Sequence, residues 1–236
     1  MASTKKKSIV RSRDNICKFC NKGFSSERTL AAHMCPKKRR YADKDQPGSR
    51  LGFRVFQRFY DLTTKSPEPK SVMDFIFSSH YKAFVKFARY LIDLGPLSAD
   101  KFIEHVIKNG VKMKDWHSPD VYEKWLTEFL RKEPVGAALE RGIIAMDAWA
   151  TENNTEFVNF YTDVHTVEAV YMIRSGKISP WMLYVSDNSA SLLSRMNSEQ
   201  NKILYPILDV NMWNFVFHKR LDDVKYAKEI LSEAGL

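Results

Sequence analysis

The sequence predicts a mainly α-helical protein: a small N-terminal ββα-type finger followed by an all-α body in two subdomains. Three observations predict it. Every cysteine lies between residues 17 and 35, with a histidine among them. From Leu51 onward apolar residues recur at helical intervals, and β-alternation is absent outside the finger. The chain has 236 residues, 44% of them hydrophobic, with 15 Phe, 10 Tyr and 5 Trp. That is enough apolar surface to bury a core, which excludes wholesale disorder. The expected organisation is a basic tail over 1–13, a finger with a basic extension over 14–42, and helical subdomains over 43–150 and 151–236.

The tail and the finger hold the charge. Residues 1–50 contain 14 Lys and Arg against 4 Asp and Glu, whereas residues 51–236 contain 23 against 24. A solubilising surface would be distributed; a concentrated positive segment is the electrostatic footprint of a polyanion. Nucleic acid fits that role better than a membrane surface, because the segment lacks an aromatic or leucine face. No apolar run approaches the ~18 residues of a membrane span, and Met1-Ala2-Ser3-Thr4-Lys5 leads into charge and not a signal-peptide core. A cytoplasmic protein with no membrane partner is expected.

Within the finger, Cys17-Lys18-Phe19-Cys20 is a C-x2-C knuckle, and twelve residues separate Cys20 from His33. Phe24 and Leu30 stand where the minimal core of a ββα zinc finger places its two apolar residues. A C2H2 finger has its last ligand three to five residues after the first His. Here Cys35 follows after one residue, and i, i+2 positions point to opposite sides of a helix. Pro36 disfavours helical dihedrals at Cys35, so the helix is expected to unwind after His33 and return the thiolate to the metal. Cys17, Cys20, His33 and Cys35 are therefore read as a tetrahedral Cys3His zinc site, structural because protein ligands fill all four positions. Counting back from His33, the base-reading positions are Ser26, Thr29 and Ala32, a poor set for discriminating bases. Backbone binding is expected instead, through Lys5, Lys6, Lys7, Arg11 and Arg13 before the finger, Arg28 within it, and Lys37, Lys38, Arg39 and Arg40 after it.

The body reads as successive helices. Leu51, Val55, Phe56, Phe59 and Tyr60 make one apolar stripe, ended by the polar run Thr63 to Pro69. Phe84, Phe87, Ala88, Leu91 and Ile92 make the next, ended by Gly95-Pro96. Ser98 is a cap, with Gly110 as the following stop. Ser118-Pro119 and Ser179-Pro180 read as N-cap and first helical residue, and Asp209 and Asp222 as further caps. The polar run Thr151 to Thr155 marks the expected division. No phosphate loop, nucleophile elbow or H-E-x-x-H motif occurs, and no cysteine remains outside the finger. His165 and Glu168, three residues apart, are read as a surface or core pair. No enzyme activity is expected. Tyr184, Trp213 and Phe217 are read as core rings, with a protein-docking surface as the alternative.

The block from Cys17 to Arg40 resembles the zinc-finger DNA-binding proteins of tailed phages. The body, over about residues 84–236, is similar to the all-α helicase-assembly (helicase-loader) proteins of T-even-like phages. The residues carrying that similarity are Phe102-Ile103 through Asn109, Trp116, Tyr122-Glu123-Lys124-Trp125-Leu126 and Glu140-Arg141-Gly142-Ile143. Further along they are Phe157, Ser175-Gly176-Lys177-Ile178-Ser179, Trp213 and Lys228-Glu229-Ile230-Leu231. The N-terminal finger is not a feature of that loader family. The resemblance implies two small helical domains, fork or single-strand DNA contact and docking to helicase, and, for a phage-encoded protein, the host-cell cytoplasm. The partners expected are DNA (fork, single-stranded or duplex) and a replication or transcription protein. The alternative is a DNA-binding transcriptional regulator contacting RNA polymerase.

Overall fold

The computed structural model describes residues 15–65 and 68–236. Among these the chain is helical, and it divides into two compact units, one ending at Arg89 and the other beginning at Tyr90. The sequence places a division at 150/151. A single helix, Val135–Asn153, runs through the polar run and ends only at Asn154, whose φ of 52° is left-handed. The finger and the helices that follow it fall in the same unit.

In the first unit α1 (Glu27–Ala32) and α2 (Pro36–Ala42) follow the cysteine knuckle. They lead into α3 (Pro47–Thr63), α4 (Val72–Phe77) and the greater part of α5 (Tyr81–Leu94). The stripe read on α3 is buried as expected through Val55 and Phe56. Phe56 packs edge-on against Phe84 at 5.4 Å and meets Phe75 at the same distance, while Phe75 lies 4.7 Å from Tyr81. The short α4 is not marked by the sequence periodicity, which six residues are too few to display. Its start carries a reciprocal capping box between Ser71 and Asp74. Gly52 is required for close approach, because a Cβ there would sit 3.3 Å from Phe75 and from the Val85 backbone.

The second unit contains α6 (Ala99–Lys108), α7 (Pro119–Lys132), α8 (Val135–Asn153), α9 (Phe160–Asp163) and α10 (Thr166–Arg174). It continues with α11 (Pro180–Val185), α12 (Ala190–Arg195), α13 (Ser198–Leu204), α14 (Val210–Lys219) and α15 (Leu221–Glu233). The start signals at Ser98, Ser118-Pro119, Ser179-Pro180 and Asp209 all stand at helix starts. Asp222 is not a cap: α15 begins one residue earlier and Asp222 lies in its first turn. Helices α8, α11 and α15 pack on one another around Trp181, Met182 and Leu231. Glu133 is buried there and paired with Arg141 through both carboxylate oxygens, at 2.8 and 2.9 Å. The Ser179 hydroxyl donates to the same carboxylate.

Of the three rings read as core or docking surface, Trp213 is buried, while Tyr184 and Phe217 are half-buried. Trp213 is 1% exposed and its indole N–H donates to the Ile207 carbonyl. Phe217 packs against Trp181 at 4.9 Å. Tyr184 donates to the Leu208 carbonyl, and burial pushes its hydroxyl up to about 12. Among the described residues no helix is long and apolar enough to cross a membrane.

Candidate metal centre

The site begins with a reverse turn. Asn21, at a left-handed φ of 56°, lets the backbone fold back so that the Asn21 and Cys20 amides both donate to the Cys17 carbonyl. Cys17 N–H then donates to the Lys22 carbonyl and Phe24 N–H to the Asn15 carbonyl. The expected β-hairpin shrinks to this turn, with one isolated antiparallel bridge between Ile16 and Gly23. Among the described residues there is no strand, so the finger is not of ββα type. The chain reaches the α1 cap at Ser26 three residues after Gly23, which leaves no length for a second strand.

The expected unwinding occurs, and one residue earlier than the sequence suggests. Helix α1 ends at Ala32, and His33 is already extended (φ −70°, ψ 124°). Cys35 is extended as well, held off helical dihedrals by Pro36, and becomes the N-cap of α2. Its sulfur accepts the Lys38 N–H at 3.4 Å. The thiol sulfurs of Cys17, Cys20 and Cys35 and a ring nitrogen of His33 consequently lie within 4.8 Å of one another. A tetrahedral ion with metal–sulfur bonds of ~2.3 Å needs sulfurs roughly 3.8 Å apart, so the donor set is closely gathered for one. Cys20 Sγ lies 3.2 Å from His33 Nε2. Cys17 and Cys35 are buried beside Phe19, with Phe24 and Leu30 packed around them. Phe24 also lies against the His33 ring at 4.5 Å. Phe19, unremarkable in the sequence beyond its place in the knuckle, is the more deeply buried ring, and Tyr41 of α2 covers it at 5.4 Å.

The thiols are not equivalent. Burial opposes ionisation of Cys17, but the Phe19 and Cys20 backbone N–H groups and its thiol neighbours outweigh it and hold its pKa below the ordinary value. At Cys20 a backbone hydrogen bond at Lys22 favours the thiolate, yet desolvation and the other two sulfurs prevail and raise the pKa. Three sulfurs this close cannot all carry charge without a cation between them. With four protein donors a bound ion would be closed to substrate, and its chemistry would be that of a cross-link.

The residues expected to meet a phosphate backbone divide into groups. Lys5, Lys6, Lys7, Arg11 and Arg13 lie outside the described residues. Arg28 is exposed on α1. Of the run after the finger, Lys38 donates to the Ala31 and His33 carbonyls, closing the C-terminal end of α1. Arg40 does the same for α4, donating to the Ile76 and Ser78 carbonyls while lying over the Tyr81 ring. Lys37 lies over Phe77 at 4.3 Å. Arg39 alone of the four is exposed with no side-chain hydrogen-bond, ion-pair or ring partner among the described residues. The two hydroxyls at base-reading positions are also engaged: Ser26 Oγ accepts the Thr29 N–H, and Thr29 Oγ1 accepts the Ser26 N–H. His165 caps α10 through its ring Nδ1, which accepts the Val167 N–H.

Two further cations, Lys82 and Arg89 on α5, are not singled out by charge composition. They join Arg39, Arg40 and Asp43 in lining a cleft of about 770 Å³ in the first unit. Their signal is the spacing Lys82, Lys86, Arg89, an i, i+4, i+7 basic stripe concealed by the near-zero net charge of the body. No family model, curated protein or solved structure matches the chain.

Proposed function

We propose that the chain is a zinc-stabilised DNA-binding accessory protein without catalytic activity, acting at replication forks as an adaptor or helicase loader. The observation that carries this is the Cys3His cluster placed at the start of a cationic helix. Three thiolates and one imidazole are the soft, tetrahedral donor set that structural zinc takes. The ion would join three pieces of chain, the knuckle, the end of α1 and the start of α2. Basic side chains around it would neutralise backbone phosphates. Engagement of Ser26 and Thr29 in the helix cap argues for binding that is indifferent to sequence, and so for the fork adaptor over a promoter-reading regulator. The test is metal analysis of purified protein followed by footprinting on forked, single-stranded and duplex DNA. One zinc per chain and sequence-independent protection of forks is the expected result. One discrete duplex site would favour the transcriptional regulator, and metal-dependent cleavage would overturn the non-enzymatic reading.

A further inference from the structure

We propose that the cleft between α2, the start of α3 and α5 holds the phosphodiester backbone, with Arg39, Lys82 and Arg89 as its phosphate contacts; this rests on the DNA-binding reading above. Four cations line the cleft against one carboxylate, Asp43. Arg40 is committed to the carbonyls at the end of α4. Arg39, Lys82 and Arg89 are exposed and have no ion-pair partner among the described residues. Uncompensated cations gathered in a concave site focus potential on an anion more strongly than the same charges spread over a flat surface.

The backbone around them is arranged to suit an anion. The start of α3 borders the cleft through Gln46, Pro47, Gly48 and Ser49, and Gln46 supplies no side-chain cap. A seventeen-residue helix adds partial positive charge there. Gly48 matters because a Cβ at that position would lie 2.9 Å from Arg89 Cγ. Glycine lets the stem of the arginine lie directly against the helix start. Planar guanidinium forks from Arg39 and Arg89 suit phosphate oxygens, and Lys82 adds a point charge. Lys86 continues the stripe beyond the cleft, as a run of successive phosphates requires and a single small anion does not.

The same geometry links the cleft to the metal. Cys35 is both a candidate ligand and the N-cap of α2, and Arg39 stands one turn further along that helix. Fixing the thiolate fixes the start of the helix that delivers Arg39. Loss of metal is therefore expected to weaken DNA binding even if no ligand residue touches DNA.

The experiment uses the full-length metal-loaded chain with Lys82→Ala and Arg89→Ala combined, and labelled single-stranded, duplex and forked oligonucleotides across a salt series. Both side chains are exposed, and zinc content and thermal melting verify that the variant is folded. The control is Lys65→Ala with Lys70→Ala, which removes equal charge from the connection between α3 and α4. The expected result is an affinity loss of about tenfold or more at moderate salt, alike on unrelated sequences. The salt slope on duplex should also be smaller by about 0.9 for each phosphate no longer neutralised. The control should stay within about twofold. Wild-type binding by the cleft variant, or a loss no greater than the control's, overturns the cleft while leaving the DNA-binding reading intact. Failure of the wild-type protein to bind any of the three DNAs overturns both.

Discussion

The segment carrying the Cys3His cluster and the second unit differ sharply in how much apolar side chain they bury. Between residues 15 and 42 the buried apolar residues are Cys17, Phe19 and Cys35, with Phe24 and Leu30 partly covered. The second unit fills its interior with Trp116, Tyr122, Tyr161, Phe160, Trp181 and Trp213, all at most 2% exposed. Burying one large apolar side chain contributes about 1.5–3 kcal/mol, so many of them sustain a fold, while the three buried side chains around the turn do not. A metal ion held by the four donors would cross-link the first segment, whereas the second unit rests on buried area. Polar groups follow the same division. In the second unit Glu133 is buried because Arg141 and Ser179 satisfy it. Around the candidate metal site, Lys38 and Arg40 lie part-exposed and close the ends of α1 and α4.

The largest effect should come from removing the metal. Structural zinc in finger-sized segments supplies about 10–16 kcal/mol of apparent binding free energy. Chelation should abolish amide-exchange protection over residues 15–42 and leave the second unit's protection unchanged. Concerted loss of protection in both would mean that the two regions are not separately stabilised. Cys35→Ser should give the same local loss together with a fall in bound zinc. Full retention of zinc would show that the fourth ligand lies elsewhere.

The reciprocal perturbation is Trp213→Ala. It empties a fully buried indole site and should cost the second unit about 3–5 kcal/mol while leaving metal content unchanged. Denaturant unfolding with metal content measured alongside reads both quantities. Arg141→Ala should fall in a similar or slightly smaller range, about 3 kcal/mol, because Glu133 would keep a buried charge with its main partner gone. If Arg141→Met with Glu133→Gln recovers most of that loss, the penalty belongs to the unpaired charge and not to lost packing.

The smallest expected change is Ser26→Ala. It removes one acceptor of the α1 capping box and should cost about 1 kcal/mol, read as a modest fall in zinc affinity by competition with a chelator. DNA affinity should change little and equally on unrelated sequences. A sequence-selective loss would show that Ser26 reads bases after all.

Much of this was legible in the sequence because its causes are local. The four candidate ligands follow from intervals of two, twelve and one residues. The break after His33 follows from Pro36, the helix starts at Ser98, Ser179 and Asp209 from side-chain caps within one turn, and that after Ser118 from Pro119 at the first helical position. Tertiary structure decided what local signals cannot carry. Whether Arg40 is free depends on carbonyls 36 and 38 residues away, and whether Trp213 is a surface ring depends on helices brought against it from elsewhere in the chain. The unit boundary inside α5 has no compositional mark, because a helix continues wherever its own hydrogen bonds are satisfied. Lys82 and Arg89 carry a helical spacing in the sequence itself. Only the fold sets them beside Arg39 and an uncapped helix start, and their electrostatic effect comes from that proximity.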